Sequence, residues 1–159
     1  MRPITRTLLL SALLATGFAA HAQDTTTPAE PATAEATTSA LPGGLSAPAE
    51  GMGQIVFFRP SKFTGGAISY KVREGETELG KLSNGTFFVI QATPGAHAYT
   101  VHSEAKDVLN LEVDAGETYY VSGGMSMGIL AGRPNISPSD EATFAGIVAK
   151  LKPAKPLKN

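Results

Sequence analysis

From residue 54 onward, apolar and polar residues alternate with a period of two along much of the chain. Ile68, Tyr70 and Val72 are separated by Ser69, Lys71 and Arg73, and Leu109, Leu111 and Val113 by Asn110 and Glu112. Such alternation places one set of side chains on a buried face and the other in water. Tyr99 and Val101 share a face within His97–His102 in the same way. Gln54–Arg59 is a denser β-prone run, stopped by Pro60. Shorter runs at Glu78–Leu82, Thr86–Ile90 and Thr118–Val121 bring the count to seven predicted strands. They recur roughly every 8–12 residues, the rhythm of an antiparallel β-sandwich. Glu74-Gly75-Glu76, Pro94-Gly95 and Ala115-Gly116 supply turns, and Asn84-Gly85 predicts a type I′ hairpin.

The period then changes. Phe144, Ile147, Val148 and Leu151 fall on one stripe at helical spacing, after Ser137-Pro138-Ser139-Asp140. That tetrapeptide reads as an N-cap serine, a proline at N1 and a carboxylate at N3, predicting one helix of about 13 residues. The helix is expected to pack on the sandwich or cover an edge strand, ending before Pro153 and Pro156.

The amino-terminal third has no such pattern. Arg2 and Arg6 precede the apolar run Leu8–Ala15, and Ala20-His21-Ala22 reads as a cleavage site, so residues 1–22 are expected to be a signal peptide. The run is well short of the roughly 20 residues that cross a bilayer, and no later segment reaches that length. The mature chain is therefore expected to be exported, to the periplasm or the medium, without a transmembrane segment. Residues 23–50 are almost entirely Ala, Thr, Pro, Glu and Ser, with Leu41 and Leu45 as the only large apolar residues. Such a composition cannot bury enough surface to offset its ordering entropy, so a disordered, extended arm is expected there. Residues 51–152 then form the domain and 153–159 a lysine-proline tail.

Charge and cysteine content narrow the function classes. The chain has no cysteine, so no disulfide supports the core and no lipid can be attached through a thioether at Gln23. Of 13 Lys and Arg, two leave with the signal peptide; the remainder against 14 Asp and Glu gives the mature chain a net charge of −3. A weakly acidic exported chain is a poor nucleic-acid binder. Residues 23–50 carry four acids and no base, whereas Lys150, Lys152, Lys155 and Lys158 cluster at the end. These can pair with each other or with envelope surfaces, or simply be solvated.

Several segments recur together in a recognisable order: Phe57-Phe58-Arg59-Pro60-Ser61, Gly80-Lys81-Leu82-Ser83-Asn84-Gly85, Pro94-Gly95-Ala96-His97, Ala115-Gly116-Glu117-Thr118-Tyr119-Tyr120 and Gly132-Arg133-Pro134. Over roughly residues 51–150 the chain resembles the bacterial family called domain of unknown function 2846, itself similar to PEGA and carboxypeptidase-regulatory-like sandwiches. The resemblance implies a prealbumin-like sandwich and no known activity.

Candidate chemistry is sparse. Gly124-Met125-Ser126-Met127-Gly128 fits the G-x-S-x-G nucleophile elbow, but that mechanism needs a helix after the serine and then an acid and a histidine. No histidine follows Ser126, the last being His102, so a glycine-rich strand end is expected and a Ser126 hydrolase is the rival reading. Gly124, Gly128 and Gly132 also have the spacing of a glycine zipper, an alternative in which residues 123–132 self-associate. His97 and His102, five apart on a strand, face opposite ways and suit no metal site. Glu74, Glu76 and Glu78 share a face, but three exposed carboxylates hold calcium weakly. No metal or cofactor is therefore expected. Carbohydrate binding is disfavoured: the chain has no Trp, and Tyr70, Tyr99 and Tyr119 are predicted inward, leaving Tyr120. Arg59, with Lys62 nearby, and Arg133 each stand beside a proline at a predicted strand end. If those ends are neighbours, the three form a basic notch for a carboxylate or phosphate; otherwise they lock loops. The expectation is a non-enzymatic interaction or accessory module, partnered by another envelope protein or envelope component.

Overall fold

In the computed structural model, residues 41–128 and 132–157 are described. The expected signal peptide and residues 23–40 of the arm lie outside them. Among the described residues, nine strands form two facing sheets, a sandwich as expected. The strands are β1 (Gly53–Arg59), β2 (Tyr70–Glu74), β3 (Thr77–Leu82), β4 (Thr86–Ala92), β5 (Gly95–His102), β6 (Lys106–Val113), β7 (Thr118–Ser126), β8 (Arg133–Ser139) and β9 (Lys152–Pro153). One sheet has the order β8-β7-β1-β4-β9 and the other β3-β2-β5-β6.

Strand β1 is buried along its whole length, which explains its unbroken apolar run. Ile55 and Phe57 face the sandwich interior with Tyr70, Val72, Leu82, Tyr99, Val101, Val113 and Val121. Val56 and Phe58 face the other way, into a second core with Tyr120, Phe144 and Leu151. A central strand covered on both faces pairs parallel with β7 and antiparallel with β4. Most pairs are antiparallel; β1–β7 and β4–β9 are the parallel ones.

Four expectations need correction. First, Asn84-Gly85 does not close a hairpin, because β3 and β4 lie in different sheets. The turn instead carries the chain between layers, with Gly85 at φ 67°. Asn84 accepts from the Lys62 N–H at 2.8 Å, which ties this turn to the loop after β1.

Second, Ser137, Pro138 and Ser139 do not start a helix. They are strand, paired with Ser122, Val121 and Tyr120 of β7. Helix α1 (Glu141–Ala145) starts three residues later than expected, with Asp140 in place of Ser137 as a cap whose carboxylate accepts from Thr143 N–H at 2.7 Å, and is followed by a one-turn 3-10 segment, Val148–Lys150. The apolar stripe still reaches its target: Phe144 and Leu151 are buried and Ile147 and Val148 pack beside them.

Third, Tyr120 is not an exposed platform. It lies on the outer face of β7, buried under Phe144 with ring centroids 5.5 Å apart.

Fourth, the expected disordered arm reaches too far into the chain, and the lysine-proline tail starts with a strand. Residues 41–50 are ordered: Leu45 packs into the second core, and the Ala49 N–H donates to Gln91 Oε1 at 3.1 Å. In the tail, Lys152 N–H donates to Gly85 O and Ala154 N–H to Phe87 O, so β9 covers the edge of β4.

Candidate functional site

The expected basic notch is not built as such. Arg59 is 3% exposed. Its Nη1 donates to Ile68 O at 2.6 Å and its Nη2 to Gly65 O at 2.8 Å, so the guanidinium closes the 60–69 loop from beneath. A cation so buried and so fully engaged offers no face to an incoming anion, and its role is to lock the loop. Arg133 pairs with Glu104, Nε to Oε2 at 3.4 Å, linking β8 to the β5–β6 turn. Lys62 and Arg133 are both exposed, but Arg133 is held by Glu104, while Arg59 is buried away from them.

Ser126 ends β7 in an antiparallel pair with Arg133 of β8, and the described residues between them, 127, 128 and 132, are not helical. Its Oγ donates to the Arg133 carbonyl at 3.4 Å. The glycines nearby serve close packing: a Cβ at Gly123 would strike Tyr70 Oη and Leu82. Glu74 and Glu78 are occupied by basic side chains of the protein itself, the His97 ring at 2.6 Å and Lys71 at 2.6 Å, with Arg73 also on Glu78. The hydrogen bond from Lys71 holds the Glu78 carboxyl below the usual carboxylate range, and the charge of Arg73 adds to it. The histidines do face opposite ways: His97 is mostly covered and stacks on Tyr99, while His102 is exposed.

What the sequence reading missed lies on the outer face of the four-stranded sheet. Lys81 on β3 is the direct cross-strand partner of Lys71 on β2. The β2–β5 register pairs Val72 with Val101, so one step further places His102 beside Lys71. His102 is in turn the partner of Lys106 on β6. Lys81, Lys71, His102 and Lys106 therefore form one row across all four strands, with about 4.8 Å between neighbouring strands. The row floors a concavity of about 530 Å³ that Tyr70, Arg73 and Thr100 also line. Around the β3 edge, Lys152 and Lys155 face a second concavity of about 570 Å³ shared with Lys71 and Lys81.

Like charges directly opposite each other on a sheet are unfavourable. Glu78 relieves the row only at Lys71, and no ion pair with Lys81 or Lys106 is found among the described residues. Each lysine is separately an ordinary outward residue of an alternating strand, and only the registers bring them into line. That is why the pattern along the chain gave no hint of them.

The architecture is a two-layer sandwich carrying a basic outer face. Residues 49–134 match the family described as a protein of unknown function (DUF2846), and the chain belongs to that family. The matched span contains the four members of the row. No curated protein and no solved structure matches the chain.

Proposed function

We propose that the chain is an exported, non-enzymatic accessory module of the cell envelope, which works by receiving an anionic envelope component on the outer face of its four-stranded sheet. The observation that carries this reading is the in-register row Lys81–Lys71–His102–Lys106. Lysines set directly opposite each other repel, and here Glu78 answers only Lys71, which leaves the rest of the row short of counter-charge. An incoming polyanion supplies that counter-charge and releases the repulsion on binding.

The test is retention of the mature protein on immobilised dextran sulfate, eluted with a salt gradient. The wild type is expected to be retained and to elute later than a Lys71→Gln/Lys81→Gln/Lys106→Gln variant. Passage of the wild type without retention at low salt would remove the basis of the reading.

A further inference from the structure

The basic row stands near one end of the sandwich, and the tip of that end is apolar. Phe63 is fully exposed and Met127 is 78% exposed. They sit on neighbouring connections. Phe63 follows β1 and Met127 follows β7, and these two strands are adjacent and parallel, so both connections leave the same end. The bases of the two connections touch: a Cβ added at Gly65 would come within 2.7 Å of Met125, and one at Gly132 within 3.0 Å of Ile68.

Looseness does not explain the exposure of Phe63. Its loop is held by both donations from Arg59, by Gly66 N–H to Phe63 O and Ile68 N–H to Gly65 O at 3.1 Å each, and by Lys62 N–H to Asn84. A pinned loop that holds a phenyl ring in water is preorganised for an apolar contact.

The cations lie just behind this tip, on both sheets. Lys71 is the second residue of β2, Lys106 the first of β6, and Lys81 the last but one of β3. Lys152 pairs opposite Thr86, the first residue of β4. Lys62 flanks Phe63 itself. The acids at this level, Glu104 and Asp107, are turned to Arg133 and to the Ile136 N–H.

Resting on the reading of the row as an anion-receiving face, we propose that this end docks on a bilayer surface bearing anionic phosphate headgroups. Phe63 and Met127 enter the interface, and Lys62, Lys71, Lys81, Lys106 and Lys152 meet the headgroups behind them. A soluble polyanion would use the lysines and leave the two apolar tips in water. A bilayer surface takes both, because it stacks an anionic plane above an apolar one. A girdle of cations at one level behind apolar tips matches that order of layers.

The chain has no tryptophan, so Phe63→Trp installs a single reporter at the tip. On titration with vesicles of equal parts phosphatidylglycerol and phosphatidylcholine at low salt, its emission should shift to the blue. Vesicles of phosphatidylcholine alone should leave it unchanged. In co-sedimentation with the mixed vesicles, Phe63→Ser should weaken binding by about tenfold, the effect of withdrawing one large apolar side chain from the interface. Its retention on dextran sulfate should stay as in the wild type. Retention on dextran sulfate without sedimentation on the mixed vesicles would overturn the docking proposal and leave the anion-receiving face standing. Vesicle binding unaltered by Phe63→Ser, with no blue shift at position 63, would overturn the tip geometry. Failure on both dextran sulfate and vesicles would overturn the two readings together.

Discussion

The guanidinium of Arg59 lies 5.3 Å from the centroid of the Tyr70 ring while its nitrogens hold the carbonyls of Gly65 and Ile68. One side chain at the end of β1 thus fixes both the start of β2 and the loop between them. Burial pushes the Tyr70 hydroxyl up to about 12, with the Arg59 charge pulling in the opposite direction, so this ring stays neutral at physiological pH.

Removing that tie should be costly. Arg59→Met leaves two carbonyls without their charged donor and is expected to destabilise the domain by about 2–4 kcal/mol. Arg59→Lys keeps the charge but lacks the planar fork that spans two acceptors, and should recover only part of the loss. Urea unfolding of the three proteins measures this. Equal stability of Arg59→Met and wild type would show that the loop holds itself.

The second core predicts an independent effect. Phe144 is fully buried and its ring packs against those of Phe58, Phe87 and Tyr120, with centroids 5.3, 5.6 and 5.5 Å away. Phe144→Ala should cost about 3–5 kcal/mol and open the outer side of β1 to solvent. Hydrogen exchange should then quicken at Val56 and Phe58, while Val72 and Val101 in the far sheet stay protected. Uniform loss of protection would instead mean that both cores unfold as one unit.

The alternation of apolar residues made β2, β5 and β6 legible, and the unbroken run made β1 so. Strand β8 was hidden because Arg133–Ser139 contains two prolines and a single large apolar residue, Ile136. Its position explains that composition. The Ile136 N–H points away from β7 and donates to Asp107 Oδ2 at 2.9 Å. Pro134 and Pro138, two residues either side, occupy the other outward sites and have no N–H to leave unpaired. An edge strand is thereby closed against further pairing by the residues that disguise it. The helix cap was misplaced for the same reason: Ser137–Ser139 have good local capping chemistry, but pairing with β7 takes them first. The basic row was invisible because it depends on three registers, none of which is encoded locally.

Edge closure can be checked. Asp107→Ala leaves the Ile136 N–H unpaired and frees the outward side of β8. The variant should lose about 1–2 kcal/mol and aggregate faster on mild heating than the wild type. Light scattering during a slow temperature ramp follows it, and coincident traces would show that the two prolines suffice.

His97 gives the domain a pH dependence of defined sign. Its Nε2 faces the Thr93 carbonyl at 2.7 Å and its Nδ1 the Glu74 carboxylate at 2.6 Å. Both partners are acceptors, so the arrangement suits the doubly protonated ring. Burial pushes the ring's pKa down, but the Thr93 carbonyl and Glu74 together outweigh it and hold it above the ordinary histidine value. A group whose pKa is raised in the folded state stabilises most below its unfolded pKa, and that stabilisation is lost as pH rises through the folded value. The melting temperature should therefore fall as pH is raised from about 6 to 8. His97→Gln should flatten that slope. A profile that rises over the same interval, or one that His97→Gln leaves unaltered, would show that the Glu74 contact does not govern it.

The ion pairs on the outer face make a prediction of opposite character, in which removing a contact improves binding. Glu78 accepts from Lys71 at 2.7 Å and also holds Arg73, so one lysine of the row and an arginine beside it are bound to an acid of the protein itself. An anionic ligand has to compete with that carboxylate. Exposed pairs of this kind contribute little to stability, so Glu78→Gln should leave the fold intact while freeing both side chains. Affinity for dextran sulfate at low salt should rise by about two- to fivefold, and the gain should shrink as salt screens the added charge. Glu76→Gln is the control: it removes the same formal charge from an exposed turn position where no cation of the row is engaged. An equal gain from both variants would mean that only net charge is sensed. A gain confined to Glu78→Gln would assign the ligand to the face that Lys71 and Arg73 share.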